Sequence, residues 1–207
     1  MINKETDFDP KELVDYCTHS RLTEEHTFMQ VYEEILTLCY WLKGFKPHNI
    51  LEIGTVGSTF WLFSKLSTGK KVSVDVQPRH SMLHHFMFGE DWKFFNENSQ
   101  TEETYQKVKS FCPEFDFIFI DGDHLYDGVQ RDFNLYKRLL SPRGVIGFHD
   151  IDPDHIFADS HGGEVYRFWK DLNEGTKLNI VCKKSSGKVK LHNTYSEGFG
   201  GIGLWMP

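Results

Sequence analysis

Short apolar runs alternate with amphipathic segments through the middle of the chain. The runs that predict strands are residues 49–53, 71–76, 92–96, 115–120 and 145–149. The segments that predict helices, because their apolar residues recur at three- and four-residue spacing, are residues 58–66, 102–111 and 129–140. Strands and helices that alternate in this way form a doubly wound, largely parallel sheet.

The N-terminal part carries no strand pattern. Residues 1–19 are polar and mixed, which predicts a short helix or an arm. A second helix is predicted to start at Thr23 and to stop at Gly44. We therefore expect an N-terminal helical segment over residues 1–44 that packs on or caps the core, followed by one α/β domain over residues 45–207.

The last two apolar runs have no helix between them. After a predicted helix at residues 165–172, strands are predicted at 178–183 and 201–206, and a glycine-rich stretch at 197–203 leads into the second. Consecutive strands without a crossover helix pair antiparallel. The expected fold is therefore a Rossmann-like α/β sheet of seven strands, mostly parallel, with a C-terminal antiparallel hairpin.

Acids and histidines follow two neighbouring strands of the predicted sheet. Asp121 and His124 come after the fourth strand, and His149 and Asp150 end the fifth. If these strands pair in parallel, both groups lie at the carboxyl edge of one sheet, where open α/β folds bind their ligands. The sequence therefore predicts a functional site at this edge.

The residue types at this edge suit a divalent cation and a general base. Asp121 and Asp150 offer the carboxylate oxygens that Mg²⁺ prefers, and His149 is a candidate third ligand whose nitrogen favours Mn²⁺ or Fe²⁺. A metal there could hold a substrate hydroxyl as a Lewis acid. A histidine suits proton removal because its reference pKa lies near neutrality. The alternative is that strand-end aspartates, Asp123 among them, only cap the next turn.

A glycine-bearing turn follows the first strand, in the sequence ILEIGTVGST. Gly54 and Gly57 would let the backbone approach a ligand closely. Glu52 replaces the first glycine of the dinucleotide fingerprint, and a carboxylate there suits a cationic or amine-bearing cofactor better than a pyrophosphate. Asp75 lies 23 residues after Glu52, near the ~20-residue offset at which an acid meets ribose hydroxyls. The alternative is that both acids are ordinary polar strand ends and that the glycines only turn the chain.

Five motifs form one ordered set along the chain: LEIGTVGST, VSVDV, FDFIFIDGDHLYDGVQRDF, LLSPRGVIGFHDI and GGEVYRFWKDL. Together they resemble class I S-adenosylmethionine-dependent methyltransferases, and most of all the branch that includes cephalosporin-hydroxylase-type and macrolide-sugar O-methyltransferases. The resemblance covers residues 48–172 and implies S-adenosylmethionine as the cofactor. The residues that it places in the cofactor pocket, from the methionine end to the ribose and the adenine, are Glu52, Gly54, Thr55, Gly57, Asp75, Asn98, Ser99 and Asp121.

The same resemblance implies roles for the acids and histidines at the sheet edge. Asp121 and Asp150 match the acids that metal-dependent O-methyltransferases carry after the fourth and fifth strands, and His124 matches the general base of the sugar-modifying members. Two positions depart from the family pattern. His149 stands where the sugar-modifying enzymes carry an acid, and Ile151 stands where the catechol type carries an asparagine. The glycine loop is also shorter than is usual in the family.

Composition and charge narrow the classes of partner and site. The net charge is -7 without a strong Lys/Arg cluster, so we expect no nucleic-acid partner. No apolar run reaches the ~20 residues of a membrane span and no secretory signal is visible, which predicts a cytoplasmic protein.

The four cysteines lack CxxC spacing and indicate free thiols in a reducing compartment. His80 and His84 have the spacing of helical metal ligands but no acid partner, which favours a lid or a partly exposed helix.

The leading hypothesis is an S-adenosylmethionine-dependent O-methyltransferase that acts, with Mg²⁺ or Mn²⁺, on a small hydroxylated acceptor such as a sugar or polyol. Asp121 and Asp150 would hold the metal, and His124 or His149 would take the proton. One alternative is a nucleotide-dependent oxidoreductase on the same fold, against which Glu52 argues. Another is a non-catalytic cofactor-binding module, which the departures from the family's metal set keep open. The sequence leaves the acceptor and a homo-oligomeric state open.

Overall fold

A computed structural model describes residues 8–19, 30–55, 58–77, 89–153, 163–182, 189–191, 194–196 and 200–207. Some sequence predictions fall on other residues. These are the helix start at Thr23, the candidate cofactor residue Gly57 and the pair His80 and His84. In the described ranges, no helix is both long enough and apolar enough to cross a membrane.

Helices and strands alternate along most of the described chain. The helices are α1 Pro10–His19, α2 Tyr32–Phe45, α3 Ser58–Lys65, α4 Glu102–Phe111, α5 Tyr126–Tyr136 and α6 Val165–Asp171. A 3-10 turn, Lys137–Leu139, follows α5. The strands are β1 Ile50–Ile53, β2 Lys71–Val74, β3 Trp92–Phe95, β4 Phe115–Ile120, β5 Leu140–Phe148, β6 Thr176–Ile180, β7 Val189–Leu191, β8 Thr194–Ser196 and β9 Ile202–Met206.

Seven of the strands form one sheet in the order β3-β2-β1-β4-β5-β9-β6. Strands β1 to β5 are all parallel to one another. Strand β9 lies between β5 and β6 and runs antiparallel to both. The predicted seven-stranded sheet, mostly parallel with an antiparallel C-terminal pair, is therefore confirmed. The separate antiparallel pair of β7 and β8 was not predicted, because strands of three residues are too short to show a period.

Helices cover both faces of the sheet. On one face α4, α5 and α6 bury apolar residues such as Val129 and Phe168. On the other face α1, α2 and α3 bury residues such as Leu38 and Phe63. Because both faces are covered, every residue of β1 and β2 is buried. Strands buried on both faces give the continuous runs, rather than alternating patterns, that the sequence shows.

One buried carboxylate joins α2 to the C-terminal strands. Glu34 accepts hydrogen bonds from the backbone N–H of Cys182 at 2.9 Å and of Gly201 at 2.7 Å. Burial raises the pKa of Glu34, and the two N–H donors oppose that rise. The contact holds α2 beside the end of β6 and the start of β9.

Both ends of α2 differ from the predicted boundaries. The helix begins at Tyr32 and not at Thr23, because Gln30 and Val31 are not helical and Val31 is extended. The helix continues through Gly44 to Phe45, and Lys46 then takes the left-handed conformation with a φ of 57°. The N–H of Lys46 donates to the carbonyl of Leu42 at 2.8 Å. This hydrogen bond satisfies one of the last carbonyls of the helix, so the glycine is not needed as the stop.

The boundary between α5 and β5 also differs. The predicted helix over residues 129–140 ends at Tyr136, because Leu140 already belongs to β5. Leu140 pairs with Phe115 of β4, and the register then shifts before Val145 resumes the regular pairing. The sequence pattern could not separate a helix end from an apolar strand start at Leu140, since both bury that side chain.

Candidate active site

The acid and histidine residues predicted at one sheet edge lie together there. Strand β4 pairs with β5, so Ile120 and Phe148 are partners at the carboxyl ends of the two strands. The N–H of Asp121 donates to the carbonyl of Ile53 at 2.8 Å, and the N–H of His149 donates to that of Ile120 at 3.2 Å. These bonds extend the sheet ladder by one residue and bring the turns after β1, β4 and β5 side by side.

Asp121 lies at the centre of a group of four titratable side chains. Its Oδ1 lies 3.2 Å from Nδ1 of His149 and 3.5 Å from Nε2 of His124. The carboxylate of Asp150 closes the group, with Oδ1 3.2 Å from Nδ1 of His149 and Oδ2 3.5 Å from Nδ1 of His124. Each histidine therefore lies between the two aspartates, and we refer to these four residues as the acid/histidine group.

The charges in the acid/histidine group stabilise one another. Burial by itself would raise the pKa of Asp121, but His149 and His124 outweigh that effect and hold its pKa well below the usual range. Burial would lower the pKa of His149, but Asp150 and Asp121 raise it well above its ordinary value. The pKa of His124 is raised chiefly by its hydrogen bond to Asp121. The group therefore favours ionised acids beside protonated histidines.

Three members of the group have the arrangement of metal ligands. Asp121, His124 and Asp150 each offer one ligand atom, and these atoms all lie within 4.8 Å of one another. His149, the third ligand predicted from sequence, faces both acids through Nδ1, while its Nε2 is buried without a hydrogen-bond partner in the described part of the chain. Oδ1 of Asp150 is likewise buried without a partner of normal hydrogen-bond geometry among the described residues. The site thus contains two potential metal-ligand atoms, Nε2 of His149 and Oδ1 of Asp150, without a hydrogen bond of normal geometry to the described part of the chain.

Asp150 has an unusual backbone conformation, with a φ of 61°. Aspartate tolerates this left-handed region better than most residues other than glycine, although at some cost in free energy. The next two residues are held by the approach to β9, since Ile151 and Asp152 donate backbone hydrogen bonds to the carbonyls of Gly201 and Gly200, both at 3.2 Å. The turn that orients the Asp150 carboxylate is therefore held by hydrogen bonds to the chain before β9, and not by the intrinsic backbone preference of Asp150.

Gln30 also contacts the acid/histidine group, and this contact was not predicted from the sequence. This buried residue precedes α2 and donates from Nε2 to Oδ2 of Asp121 at 3.1 Å. Because the ionised Asp121 can only accept, the amide nitrogen must be the atom that faces it. No motif or spacing marks Gln30, since its contact spans 91 residues of sequence.

Gly54 brings the turn after β1 against the turn after β4. Its φ is 83°, and a Cβ at this position would lie 2.0 Å from the carbonyl oxygen of Asp121 and 2.5 Å from Cα of Gly122. A side chain at position 54 would therefore be both strained and in collision with backbone. Gly54 therefore allows the turns after β1 and β4 to make direct backbone contact. This role is separate from the close approach to a ligand that was predicted for it.

Glu52 is fully buried at the end of β1. Neither carboxylate oxygen has a hydrogen-bond partner of normal geometry in the described chain. Burial raises the pKa of Glu52 well above its ordinary value. The Thr59 hydroxyl opposes that rise, and the charges of Asp121 and Asp75 add to it. The neighbouring Thr55 is also buried, but its hydroxyl is paired with that of Ser73.

The other predicted cofactor residues lie along the same edge, towards β3. Asp75 is half-buried after β2, and its Oδ1 accepts the N–H of Gln77 at 2.6 Å. Asn98 is exposed, while the carbonyl of Ser99 accepts the hydroxyl of Tyr136 at 3.0 Å. The structure therefore places all of these residues at the carboxyl edge, but at different depths.

Val76 was not predicted as a site residue, although it lies at the same edge of the sheet. It follows Asp75 and is 66% exposed, an unusual position for a valine at a strand end. An apolar side chain beside polar ligand candidates suits the face of a planar ring.

Asp123 has the structural role that the capping alternative predicted. Its carboxylate accepts the N–H of Leu125 at 3.0 Å and the Nε2 of Gln100 at 2.9 Å. Gly128 leaves room for it, because a Cβ there would lie 2.2 Å from Cγ of Asp123. The turn that carries His124 is thus fixed from inside by Asp123.

Residues 51–151 match a family model described as a methyltransferase domain. The chain therefore contains a methyltransferase domain over these residues. The matched region of the methyltransferase runs from β1 to the residue after Asp150, so it contains Glu52, Gly54 and the whole acid/histidine group.

The methyltransferase domain is also similar to part of a larger curated protein. The uncharacterized protein y4gI of Sinorhizobium fredii (strain NBRC 101917 / NGR234) is 37% identical over 148 residues. The match covers 64% of this chain but only 16% of that relative. The chain therefore spans about a sixth of the length of the curated relative it matches.

Solved methyltransferase structures share the fold over nearly the whole chain. The O-methyltransferase from Bacillus cereus in complex with SAH gives a TM-score of 0.60 at 21% identity, covering 98% of this chain and 92% of that one. The MycE methyltransferase from the mycinamycin biosynthetic pathway, in complex with Mg, SAH and mycinamycin VI, gives a TM-score of 0.58 at 14% identity, covering 98% and 55%. These likenesses confirm the class I methyltransferase fold that the sequence motifs implied.

Proposed function

We propose that this methyltransferase transfers a methyl group from S-adenosylmethionine to a hydroxyl of a small acceptor, such as a sugar or polyol, with the help of a divalent cation. One observation carries the proposal. The carboxylates of Asp121 and Asp150 and a ring nitrogen of His124 converge within 4.8 Å at the same sheet edge as the buried carboxylate of Glu52. Among the described residues, Glu52 has the Thr59 hydroxyl beside it but no hydrogen bond of normal geometry. A cation site and a site for a cationic cofactor therefore adjoin.

The residues around β1 and β2 fit an amine-bearing nucleoside cofactor. The two oxygens of Glu52 would be satisfied by a positively charged group, whereas a pyrophosphate would be repelled. Asp75 would accept from the ribose hydroxyls, and Val76, with Asn98 and Ser99, would border the adenine. The residues left to shape the methionine end are Gly54, Thr55, Gly57 and Asp121.

The acid/histidine group fits a divalent cation with mixed oxygen and nitrogen ligands. Asp121 and Asp150 would supply the oxygens, and His149 would supply a nitrogen, which leaves His124 free to act as the base. This set suits Mn²⁺ or Fe²⁺ and, with waters, Mg²⁺. A cation bound there would act as a Lewis acid towards an acceptor hydroxyl.

Exposure separates the proposed roles of the two histidines. The side chain of His124 is 33% exposed, whereas that of His149 is 4% exposed. His124 is therefore the residue that can reach an acceptor. In its neutral form, which a cation bound between the two aspartates would favour, it can take the hydroxyl proton as methyl transfer proceeds. His149 is buried and faces both carboxylates through Nδ1, so it would be the nitrogen ligand of the cation. Alignment and electrostatics would then supply most of the rate enhancement.

Two fold neighbours support this combination of ligands. The Bacillus cereus O-methyltransferase was solved with SAH, and MycE was solved with Mg, SAH and mycinamycin VI. One protein with this fold therefore holds a cation together with a cofactor product and a small molecule. The oxidoreductase alternative gains no support, since Glu52 lies buried where a pyrophosphate would need open backbone N–H groups.

Calorimetric titration tests the cofactor. We expect SAH and S-adenosylmethionine to bind and NAD not to bind, and binding of NAD alone would refute the proposal. A transfer assay with labelled S-adenosylmethionine against sugars, polyols and other hydroxylated compounds, with and without Mg²⁺ or Mn²⁺, then tests the reaction. We expect cation-dependent labelling that Asp121→Asn abolishes and that Asp127→Asn, an exposed aspartate on α5, leaves unchanged.

A further inference from the structure

Glu164 connects the start of α6 to the turn that carries His124. The backbone N–H of Glu164 donates to the carbonyl of His124 at 2.7 Å. Its side-chain Oε2 accepts the backbone N–H of Tyr126 at 3.0 Å, and its Oε1 accepts from Nη1 of Arg167 at 2.8 Å. One residue thus holds the chain on both sides of Leu125, the residue directly after His124.

The start of α5 depends on this contact. Leu125 is the N-cap of α5 and provides no side-chain hydrogen bond to the helix. The first N–H groups of a helix have no partner within the helix, and a carboxylate near them is favoured by the helix dipole. Glu164 supplies that carboxylate from another element, so it caps α5 across the fold.

His124 has no regular structure of its own to fix it. Residues 121–125 lie between β4 and α5, and Asp123 holds this turn from inside through Leu125 and Gln100. Glu164 holds it from outside. The GGEVYRFWKDL motif that contains Glu164 has no part in the cofactor and cation sites described above.

We propose that Glu164 is a positioning residue that holds the His124 turn, and with it the His124 ring, between the two aspartates. The proposal rests on the proposed function in so far as His124 is the base. Misplacement of a reacting group by about 1 Å can cost about 100-fold in rate. Loss of the Glu164 carboxylate should therefore lower kcat and leave cofactor affinity unchanged.

A pair of variants at Tyr126 separates the effect of the Tyr126 N–H to Glu164 hydrogen bond from the effect of losing the Tyr126 side chain. Tyr126→Pro removes the N–H that Glu164 accepts, whereas Tyr126→Ala removes the same phenol ring and keeps the N–H. Proline is tolerated at the first position of a helix. Leu125, with φ -77° and ψ 149°, already has the conformation that a residue before proline requires. We expect Tyr126→Pro to have a kcat about 10-fold or more below that of Tyr126→Ala.

Variants at Glu164 provide the second comparison. Glu164→Gln keeps an oxygen that can accept from Tyr126 and should retain most of the activity. Glu164→Ala should lose about 10- to 100-fold in kcat, with the Kd for SAH unchanged. Glu103→Ala removes an exposed acid that pairs with Lys107 on α4, and it serves as the matched control with wild-type kcat.

A spectroscopic readout separates this proposal from the proposed function. In histidine-labelled protein, the His124 ring signal, assigned by its loss in His124→Gln, should move or broaden in Glu164→Ala and Tyr126→Pro but not in Glu164→Gln or Tyr126→Ala. A wild-type protein without transfer activity would refute the proposed function while leaving this readout to decide the role of Glu164. An unchanged His124 signal in both Glu164→Ala and Tyr126→Pro would refute the positioning role, as would equal kcat values for the two Tyr126 variants in an active enzyme.

Discussion

A Cβ on Gly54 would lie 2.0 Å from the carbonyl oxygen of Asp121. The two residues belong to the turns after β1 and β4, and the turns touch backbone to backbone. Glu52, next to the first turn, is the candidate cofactor carboxylate, and Asp121 is the centre of the acid/histidine group. The two halves of the candidate active site are therefore built as one unit, which has consequences for single substitutions.

Gly54→Ala should destabilise the protein by about 2 kcal/mol or more, because it combines a positive φ with a collision against backbone that cannot rotate away. Gly44→Ala is the matched control, since a Cβ there meets nothing within 4 Å and lies in a helix. Gly44→Ala should stabilise the protein by up to about 1 kcal/mol, because alanine favours the helix more than glycine does. Urea unfolding of the wild type and the two variants measures both values, and equal stabilities for the two variants would contradict the packing of the turns.

Asp132 should make stability fall as the pH rises. It is buried in α5, and burial raises its pKa to about 7 from an ordinary value of 3.8. Between about pH 4 and pH 7 the folded state holds a proton that the unfolded state has lost, so stability falls by up to about 1.4 kcal/mol per pH unit and then levels off. Asp132→Asn removes this contribution.

The measurement for Asp132 is the difference in unfolding free energy between Asp132→Asn and the wild type across pH 4 to 8. The stability of the variant relative to the wild type should increase as the pH rises through that window. Asn134→Ala, at an exposed position of the same helix and without a titrating group, should give a flat difference. A flat difference for Asp132→Asn as well would mean that Asp132 is ionised in the folded protein.

Local signals explain which parts of the fold could be predicted. Helix α4 was predicted at its observed bounds from the spacing of its apolar residues, and in the structure Thr101 caps it by accepting the N–H of Thr104 at 3.2 Å. Strand β4 was also predicted at its bounds, since six residues of FDFIFI lie between polar turns. The pairing of β4 with β5 then placed Asp121 and Asp150 together.

Long-range contacts explain what could not be predicted. Gln30 reaches Asp121 across 91 residues, and Glu164 reaches Tyr126 across 38 residues. Each is a single polar residue without a periodic neighbour, so only the folded chain reveals its partner. The order of burial between His124 and His149 is likewise set by packing around the sheet edge, since residue type alone makes the two equal candidates.

Asp150 allows its charge to be separated from its backbone conformation. Asp150→Asn keeps a residue that tolerates the φ of 61°, whereas Asp150→Ala adds strain of about 1 kcal/mol. Both variants should weaken Mn²⁺ binding by more than 10-fold if the carboxylate is a ligand, a loss of about 1.4 kcal/mol or more. Only Asp150→Ala should also show the extra loss of stability. Calorimetric titration with Mn²⁺ that shows wild-type affinity for Asp150→Asn would exclude this carboxylate as a ligand.

Glu52 and Glu34 are two buried glutamates with opposite surroundings. Both oxygens of Glu34 accept backbone N–H groups, whereas neither oxygen of Glu52 has a partner of normal geometry in the described chain. Glu34→Gln should therefore destabilise by about 1–3 kcal/mol, because its amide nitrogen would face an N–H donor. Glu52→Gln should leave the ligand-free protein as stable or more stable, because it removes a buried carboxylate without a compensating charge.

Cofactor affinity should be lowered by Glu52→Gln and not by Glu34→Gln, the reverse of their expected effects on stability. If Glu52 receives the amino group of the cofactor, Glu52→Gln loses a charge-assisted hydrogen bond of about 1.5–3 kcal/mol, which corresponds to about a 10- to 100-fold weaker Kd for SAH. Glu34→Gln should bind SAH as the wild type does at a temperature where it is folded. Calorimetry and thermal unfolding of both variants test the pair. Wild-type SAH affinity in Glu52→Gln would leave Glu52 without a role in the cofactor site and would require another group to face the methionine moiety.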